Sequence, residues 1–430
     1  MSKNDSKILI IGAGVAGQMV AKELVRSSIL PVNIVGYLDD DKNKIGKKIH
    51  GFMVLGSIDQ VNKVIKQKKI DEIIIAVPSQ SQLVAKKVDS LLDLNVKVRI
   101  LPALAPVILG QVNLSFLKDV DPSDLLGRPL VQSDQKKIVD ATSGLTFLIT
   151  GAAGSIGSEI VYQLSLTKAK KIICIDSWEE GCFKLTEKYK SQNGPKVEVY
   201  VGNIRDKERI NEIFSLTRPD VVFHAAAYKH VPLMESNKSE AVKTNVVGTK
   251  NCLDICVKHK INGFVLISTD KAVNPSSHMG GTKRQAELMV MDLAKKNKKG
   301  KFLSVRFGNV LNSSGSVVPT FVGQVKSGGP VTITDKKMTR YFMTIPEAVS
   351  LVLQSWILGE NGRIYVLDMG EPVKIISLAR SIIRHFGLEP GKDIEIKEIG
   401  VRPGEKMHEQ LSYKKESLTQ TTNPKIFIAE

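Results

Sequence analysis

Cysteine is scarce in this chain of 430 residues, which contains only four. They show no close spacing of the kind that binds zinc or an iron–sulfur cluster, so we expect no metal site. Cys252 and Cys256 share one face of a predicted helix, where burial as small apolar side chains explains them. The scarcity excludes a disulfide-stapled scaffold and fits a reducing cytoplasm. The other two are Cys174 and Cys182.

Long apolar runs are absent as well. No stretch approaches the ~20 apolar residues that span a bilayer. Residues 1–6 lead directly into a predicted strand, unlike a signal peptide. We therefore expect no transmembrane segment in this sequence, which is either naturally soluble or cut from a longer protein.

Acidic and aromatic residues are few. The chain has 44 Asp and Glu against 61 Lys and Arg, a net charge of +17, and only 5% aromatic residues. Nucleic-acid modules and stacking motifs are missing, and the densest basic run, residues 295–301, is typical of a solvated helix end. Nucleic acid is therefore not an expected partner. A diffuse basic field favours an anionic small molecule and is compatible with an anionic membrane face.

A strand, a glycine-rich loop and a helix are predicted from residue 146 onward. The loop reads Gly151-Ala152-Ala153-Gly154-Ser155-Ile156-Gly157. In this context glycines let the backbone approach a pyrophosphate at a helix N-terminus. The next strand ends at Asp176, where a carboxylate would bind ribose hydroxyls and repel a 2′-phosphate. The pattern predicts a dinucleotide site and favours NAD over NADP.

A similar unit comes first in the chain. A predicted strand leads into Gly12-Ala13-Gly14-Val15-Ala16-Gly17, and a second strand ends at Asp39. Further strands are predicted at residues 71–78 and 96–102. We expect a nucleotide-sensing, structural or oligomer-forming domain, because no acid and base set accompanies it. Its candidate nucleotide site is Gly12, Gly14, Gly17 and Asp39.

Two α/β domains follow from these patterns, each a Rossmann-like, doubly wound parallel sheet. The boundary is expected between residues 119 and 144, where turn-forming residues interrupt the alternation of strands and helices. We assign residues 1–128 to the first domain and residues 129–430 to the second.

A candidate active site follows a third strand pattern of the second domain. Thr269, Asp270 and Lys271 fall at the carboxyl end of this strand, which is where open α/β sheets bind ligands. A helix is predicted over residues 279–295, so Met279 and Lys283 lie on one face. Met279 stands where a Tyr-x-x-x-Lys reductase would have its general base. A solvated turn is the alternative for residues 269–271, but the glycine fingerprint and Lys283 favour a site.

Five further segments carry a family resemblance: residues 224–235, 268–272, 306–311, 339–348 and 402–406. They resemble the nucleotide-sugar 4,6-dehydratases of the extended short-chain dehydrogenase/reductase superfamily. More narrowly, the chain is similar to UDP-N-acetylglucosamine 4,6-dehydratases of bacterial polysaccharide and glycan biosynthesis, in the branch with methionine in place of tyrosine. The resemblance covers essentially the whole chain and implies a small C-terminal lobe that binds the nucleotide sugar. In long forms of this family, membrane helices commonly precede the first domain.

The resemblance implies a redox-neutral reaction. NAD⁺ takes a hydride from sugar carbon 4, a base removes the carbon 5 proton, water leaves from carbon 6, and the hydride returns to carbon 6. Asp270 would protonate the departing hydroxyl, Lys271 would take the carbon 5 proton, and Thr269 would bind near the 4-oxygen. Lys283 would bind the nicotinamide ribose. Met279 cannot accept a proton, so either Asp270 or a water relayed to Lys283 takes the proton of the 4-hydroxyl.

Binding residues are implied in the same way. Asn203 stands where an aspartate is common near the adenine, and we expect altered cofactor affinity at most. The expected cofactor-binding residues are Gly151, Gly154, Ser155, Ile156, Gly157, Asp176, Asn203, Ile204, Ala225, Ala226 and Lys283. The expected substrate-binding residues are Lys229, Asn309, Arg340, Arg402 and Glu405, with arginines meeting the diphosphate.

Two alternatives stay open. A UDP-N-acetylhexosamine 4-epimerase also oxidises carbon 4 but has no use for an acid and a base at carbons 5 and 6. A non-catalytic nucleotide or redox sensor would not need Thr269, Asp270, Lys271 and Lys283 together. We expect a homo-oligomer that acts on a UDP-sugar in the cytoplasm, with carbon 5 retaining its configuration.

Overall fold

The structure is a computed structural model that describes residues 6–26, 32–77, 96–101, 118–119, 135–191, 194–313 and 315–430. The chain divides into two compact units. The first comprises residues 1–132 with 325–329 and 380–395, and the second comprises the remainder. Within the described residues, no helix is both long and apolar enough to cross a bilayer.

The first unit is built on a mostly parallel sheet. Within the described residues its strand order is β3-β4-β2-β1-β5-β6-β7, and only the β3–β4 and β6–β7 pairs are antiparallel. Ile8, Ile10 and Ile74 are fully buried, as expected for strands covered on both faces. The strands are β1 Ser6–Ile11, β2 Val32–Leu38, β3 Lys48–Ile49, β4 Phe52–Gly56, β5 Glu72–Ile75, β6 Lys97–Ile100 and β7 Lys118–Asp119. The helices are Val15–Arg26, Val61–Lys68 and the 3₁₀ turn Ile58–Gln60.

The second unit contains a larger sheet. Its order in the described residues is β10-β9-β8-β11-β12-β13-β18-β22-β21, with only the last two strands antiparallel to their neighbours. The first six strands follow the Rossmann order 3-2-1-4-5-6, so the order reverses between β8 and β11. The strands are β8 Thr146–Thr150, β9 Lys171–Asp176, β10 Lys196–Val201, β11 Val221–His224, β12 Gly263–Ile267, β13 Lys301–Arg306, β18 Ile364–Leu367, β21 Leu418–Gln420 and β22 Ile426–Ala429.

Three short strand pairs form the small C-terminal lobe. They are β14 Asn309–Val310 with β17 Phe342–Met343, β15 Val331–Ile333 with β20 Ile396–Glu398, and β16 Thr339–Arg340 with β19 Val373–Lys374. The predicted α/β class with two Rossmann-like sheets is thereby confirmed. The helices from residue 133 onward are Gln135–Thr142, Ser155–Ser165, Glu179–Tyr189, Lys207–Thr217, Val231–Ser236, Lys238–Ala241, Thr249–Lys258, His278–Lys296, Val317–Lys326, Ile345–Leu358 and Ile375–His385, with a π-helix at Val242–Gly248 and a 3₁₀ turn at Asp270–Ala272.

The described part of the expected boundary region contains a helix that the sequence pattern missed. Residues 135–142 form a helix, although we predicted an interruption up to residue 144. Ile138 and Thr142 are buried on one side of it, and this short apolar spacing is hidden among polar neighbours. Residues 120–134 lie outside the described residues, so the boundary at 128/129 stays a prediction.

A buried ion pair joins the helix His278–Lys296 to the sheet. Arg306, at the end of β13, donates from Nε and Nη2 to the two carboxylate oxygens of Glu287 at 2.7 and 2.9 Å, and both side chains are fully buried. Ser268 donates to the same carboxylate at 2.6 Å. Arg306 also donates to Glu416 at 2.8 Å, and Tyr413 donates to the carbonyl of Ala272. The network therefore fixes the segment that follows β12 through Glu287 at one end and Tyr413 at the other.

We predict that Arg306→Met destabilises the second unit by about 3–5 kcal/mol, because it leaves the Glu287 carboxylate buried without its main partner. The two tryptophans of the chain, Trp178 and Trp356, both lie in this unit, so fluorescence during urea unfolding reports on it. Glu180→Gln, which breaks an exposed pair with Lys184, is the control and should change stability by less than about 0.5 kcal/mol. Equal effects of the two substitutions would contradict the assigned role of the buried pair.

Candidate active site

Two adjoining cavities lie along the carboxyl edge of the large sheet. The larger, about 600 Å³, is lined by the glycine loop, by the segment after β12 and by the C-terminal lobe. The smaller, about 250 Å³, lies beside Asp176 and Asn203. Both share Gly151 and Gly154 in their walls, so they form one cleft across the point where the strand order reverses. This is the position at which open α/β sheets bind dinucleotides.

The three glycines of the loop have different roles. Gly151 has φ +67°, and a Cβ there would lie 2.6 Å from the amide nitrogen of Ala226. A Cβ on Gly157 would lie 2.0 Å from the carbonyl oxygen of Gly151, so these two glycines permit close backbone packing. A Cβ on Gly154 would meet only that carbonyl, at 3.3 Å, and Gly154 lines the cleft. The helix Ser155–Ser165 begins directly after it, so the loop leaves space for a phosphate at a helix N-terminus.

Asp176 is held at the end of β9. Its carboxylate accepts hydrogen bonds from the amides of Ala153 at 2.9 Å and Trp178 at 3.0 Å. Asn203 lines the same cavity, and its side-chain oxygen accepts from the amide of Arg205. Ile204 is buried beneath. Lone pairs of the fixed Asp176 carboxylate remain for ribose hydroxyls, so the residues present fit a dinucleotide without a 2′-phosphate.

Thr269, Asp270 and Lys271 are in direct contact at the end of β12. Thr269 Oγ1 donates to Asp270 Oδ1 at 2.9 Å, and Lys271 Nζ donates to the same oxygen at 2.9 Å. Asp270 is fully buried. Its Oδ2 has no hydrogen-bond partner among the described residues and lies near Gly308, where a Cβ would come within 3.2 Å. The acid and the base that the sequence predicts are thus adjacent in space as well as in sequence.

The charges around Lys271 determine its protonation. Burial disfavours the ammonium form, but the nearby carboxylates of Asp270 and Glu409 outweigh it and raise the pKa of Lys271. Nζ also donates to Asn309 Oδ1 at 3.2 Å. In the protein alone, Lys271 is therefore a cation paired with Asp270. The elimination that the resemblance implies needs this amine neutral.

The pKa of Lys283 is shifted in the opposite direction. This lysine is buried below the cleft, where Nζ donates to the carbonyl of Ile267 at 2.6 Å. Burial lowers its pKa to about 8, although the charge of Glu287 acts in the other direction. Lys283 can therefore exchange a proton near neutral pH, and it lines the cleft beside Met279.

Met279 lies in the first turn of the helix His278–Lys296, which Ser277 caps by accepting from the amide of Gly280. Its side chain is 2% exposed and packs with Val231, Met234 and Ala241, yet it also lines the cleft. The structure places an apolar side chain one helical turn before Lys283. No proton acceptor is supplied from this position.

The residues expected at the substrate lie in the same cleft but differ in their contacts. Asn309 contacts Lys271. Arg340 donates to the carbonyls of Thr339 and Met407. Arg402 and Glu405 bind each other, with Nη2 and Oε1 2.6 Å apart, at the rim. Lys229 lines the cleft, and partial burial lowers its pKa.

The glycine loop of the first unit repeats part of this geometry. Gly12 has φ +100°, and a Cβ on Gly17 would lie 1.9 Å from its carbonyl oxygen, whereas Gly14 faces open space. Asp39 accepts from the amide of Ala13 at 2.7 Å. Lys44 lies 3.3 Å from the same carboxylate oxygen. These contacts resemble those of Gly151, Gly157 and Asp176, and a nucleotide at this site stays a prediction.

Three residues near the site were missed from the sequence. Glu409 is buried beside Lys271. His224 is buried between Thr150 and Thr249, and burial lowers its pKa to about 3, with a further contribution from Lys283. Asn245, in the π-helix, bonds the amide and carbonyl of Tyr228 and the hydroxyl of Thr282. A π-helix commonly marks a functional site, but it leaves no pattern in a single sequence.

Within the described residues no group of His, Cys, Asp or Glu is placed to hold a metal ion.

Comparison with known proteins agrees with this geometry. The chain is 42% identical to the capsular polysaccharide biosynthesis protein CapD of Staphylococcus aureus, over 97% of this chain and 70% of that protein. It is 41% identical to the probable polysaccharide biosynthesis protein EpsC of Bacillus subtilis, over 99% of this chain and 71% of that protein. A UDP-glucose 4-epimerase of Rickettsia rickettsii is 36% identical over 62% of this chain and 77% of that protein.

Solved structures show the same fold. Pen from Bacillus thuringiensis is 32% identical, with a TM-score of 0.62, over 67% of this chain and 88% of that one. The dTDP-glucose 4,6-dehydratase DesIV from Streptomyces venezuelae, solved with NAD and TYD bound, is 21% identical, with a TM-score of 0.56, over 62% of this chain and 88% of that one.

The fold and the cleft define an extended short-chain dehydrogenase/reductase that modifies a nucleotide sugar. Residues 147–430 match the family described as polysaccharide biosynthesis protein, and residues 1–102 match the CoA-binding domain family. The chain therefore belongs to the polysaccharide biosynthesis protein family.

Lys283 leads to a prediction about pH. Unfolded, this lysine keeps its proton up to its ordinary pKa of 10.5, whereas folded it loses the proton near pH 8. Unfolding between these pH values takes up a proton, so Lys283 adds stability as pH rises, by up to about 3 kcal/mol. We expect the unfolding free energy of the unsubstituted protein to rise relative to that of Lys283→Met between pH 7.5 and 10. The measurement is urea unfolding of both proteins without nucleotide. A difference in unfolding free energy that stays constant with pH would contradict the lowered pKa of Lys283.

Proposed function

We propose that the protein catalyses the NAD-dependent, redox-neutral 4,6-dehydration of UDP-N-acetylglucosamine to the UDP-4-keto-6-deoxy sugar, with retention at carbon 5. The observation that carries the proposal is the contact of the buried Asp270 with Thr269 and Lys271, both of which line a cleft that continues to the glycine loop. An acid and a base at one end of a dinucleotide cleft serve an elimination that is coupled to transient oxidation. The product would enter bacterial polysaccharide or glycan biosynthesis.

NAD is the proposed cofactor. When bound, it supplies a hydride acceptor for carbon 4 and a hydride donor for carbon 6. Gly154 and the start of the helix Ser155–Ser165 would hold its pyrophosphate, and Asp176 its adenosine ribose. Ala225 and Ala226 line the cleft between these groups. The presence of NAD in the solved structure of DesIV supports this choice.

Asp270 is the proposed acid at carbon 6. Thr269 already donates to its Oδ1, so a 4-hydroxyl that donates to Thr269 could pass a proton through this hydroxyl to Asp270. Asp270 would then hold the proton that the departing 6-hydroxyl needs. Its fully buried position prevents loss of this proton to solvent. The path needs no group at position 279, which agrees with the methionine there.

Lys271 is the proposed base at carbon 5. The hydrogen bond to Asn309 and the ion pair with Asp270 fix its Nζ in the wall of the cleft. After taking the carbon 5 proton, the ammonium can return it to the same face of the sugar, which retains the configuration. Lys271 acts in this way only after it has lost the proton that it carries in the protein alone.

The nucleotide diphosphate would bind among the cations of the C-terminal lobe. Arg340, Arg402 and Lys229 all line the cleft. Arg402 would exchange its ion pair with Glu405 for the diphosphate. Substitution of any of these three residues is therefore expected to raise the KM for the nucleotide sugar more than it lowers kcat.

A 4-epimerase is the second candidate, because the Rickettsia relative bears that name. Such an enzyme returns the hydride to carbon 4 and needs no buried acid and base at carbons 5 and 6. The fully buried Asp270 with its Lys271 partner favours the dehydratase.

For the whole chain we propose a first domain, residues 1–128, with a regulatory or oligomer-forming role. The catalytic domain would be residues 129–430, in a cytoplasmic homo-oligomer.

Incubation of the purified protein with UDP-N-acetylglucosamine in heavy water, without added reductant, tests the function. Mass spectrometry should show loss of one water, and NMR should show a 4-keto, 6-deoxy sugar whose carbon 5 configuration is retained. An unchanged mass with formation of UDP-N-acetylgalactosamine would establish the epimerase instead.

We predict that Asp270→Asn and Lys271→Met each lower kcat for dehydration by about 10²- to 10⁴-fold, because each removes one proton-transfer group. Bound NAD, measured after denaturing the purified proteins, should be unchanged. Lys250→Met, at an exposed ion pair with Asp254, serves as the control with normal turnover. Near-normal turnover in either active-site variant would show that the assigned role is wrong.

We also predict that Gly154→Val folds normally but raises the Kd for NAD by at least about tenfold. The new side chain would enter the space left for the pyrophosphate, while φ −75° at this position suits any residue. Gly323→Val is the control, because a Cβ there meets nothing within 4 Å and the residue lies away from the glycine loop, in the helix Val317–Lys326. Calorimetric titration measures the affinity, and unchanged binding by Gly154→Val would remove the loop from the cofactor site.

A further inference from the structure

Glu409 is a buried acid in the cleft that none of the proposed roles uses. Its side chain is 3% exposed, and its Oε2 has no hydrogen-bond partner among the described residues. An unpartnered carboxylate oxygen in the wall of a reaction cleft is costly to bury and calls for an explanation.

Three cations face this carboxylate. Lys271 Nζ lies 3.6 Å and Arg340 Nε 3.9 Å from Oε1, and Lys406 Nζ lies 4.0 Å from Oε2. Lys406 donates to the carbonyl of Val273 at 2.6 Å, and Arg340 does not release its proton in proteins. Of the two lysines, Lys271 lies nearer to the carboxylate and is the one that the proposed reaction needs neutral, so it is the partner with which we expect Glu409 to exchange a proton. A movement of roughly 0.5–1 Å would bring the two to hydrogen-bond distance.

The proton count of the proposed reaction requires a second acceptor. If the 4-hydroxyl proton passes through Thr269 to Asp270, Asp270 is occupied until it protonates the departing 6-hydroxyl. Lys271, which is a cation in the protein alone, must lose its own proton before it can take the one on carbon 5. Asp270 cannot hold both protons, and Glu409 is the other carboxylate in contact with Lys271.

We propose that Glu409 is the proton acceptor for Lys271, an inference that rests on the proposed dehydratase function. As substrate binds, an N–H bond of the Lys271 ammonium breaks and an O–H bond forms on Glu409, which leaves a neutral amine and a neutral acid. The amine then takes the carbon 5 proton and later returns it to carbon 5. Glu409 gives its proton back to Lys271 at the end of the cycle, so atoms and charge balance. Glu409 acts through Lys271 and does not touch the sugar.

Steady-state kinetics of Glu409→Gln from pH 6 to 10 test the inference. We expect kcat near pH 7 to fall about 100-fold or more, because Lys271 must then lose its proton to solvent. KM should change by less than about threefold. Because the variant works only through the fraction of Lys271 that solvent has deprotonated, its kcat should recover as pH rises, more steeply than that of the unsubstituted protein. Glu409→Asp, which keeps the carboxylate, should restore part of the rate at pH 7.

Glu398→Gln is the control, since Glu398 forms only an exposed pair with Lys336 and should leave kinetics unchanged. Tryptophan fluorescence and NAD content establish that each variant is folded. If Glu409→Gln does not fold, the comparison is made with Glu409→Asp instead. A loss that is equal at every pH, a loss confined to KM, or normal turnover would each overturn the inference. Failure of the unsubstituted protein to dehydrate UDP-N-acetylglucosamine would instead overturn the proposed function, before any variant is compared.

Discussion

The buried pair between Glu287 and Arg306 is the interaction on which the rest of the site depends. One carboxylate is shared by Ser268, which precedes the candidate acid and base, and by Arg306 at the end of the neighbouring strand. Glu287 also lies one helical turn after Lys283. The pair therefore holds two elements of the site against each other. They are the strand that ends before Thr269, Asp270 and Lys271, and the helix that contains Met279 and Lys283. Because the pair is fully buried, its loss would leave the Glu287 charge with only Ser268 and Arg284 as partners and with no water to solvate it.

Charge is distributed unevenly within the cleft. Lys271 lies between two carboxylates and stays a cation, whereas burial lowers the pKa of Lys283 to about 8. The pKa values of two lysines of the same site are thus shifted in opposite directions by their surroundings. The net charge of +17 contributes little to this contrast, since it is spread over the surface, but it attracts an anionic nucleotide sugar toward the cleft.

Much of the fold could be predicted from the sequence. The glycine loops, the alternation of strands and helices, and the helix over residues 278–296 follow from local patterns that act over a few residues. The contact of Thr269 with Asp270 and Lys271 follows from their place at a strand end. Glu409 could not be found in this way, because it lies over a hundred residues after Lys271 in the chain and reaches it only through the packing of the C-terminal lobe. The helix Gln135–Thr142 was missed because its apolar side is short.

Residues 409–429 complete a sheet and a site whose other parts come earlier in the sequence. β22 pairs with β18, Glu416 binds Arg306, and Tyr413 binds the carbonyl of Ala272. During synthesis the parallel strands and the glycine loop emerge from the ribosome first. The site beside Lys271 therefore cannot form until residues 409–429 have also emerged. A nascent chain that already holds a complete nucleotide fold would remain unable to act on a sugar until translation of this segment is finished.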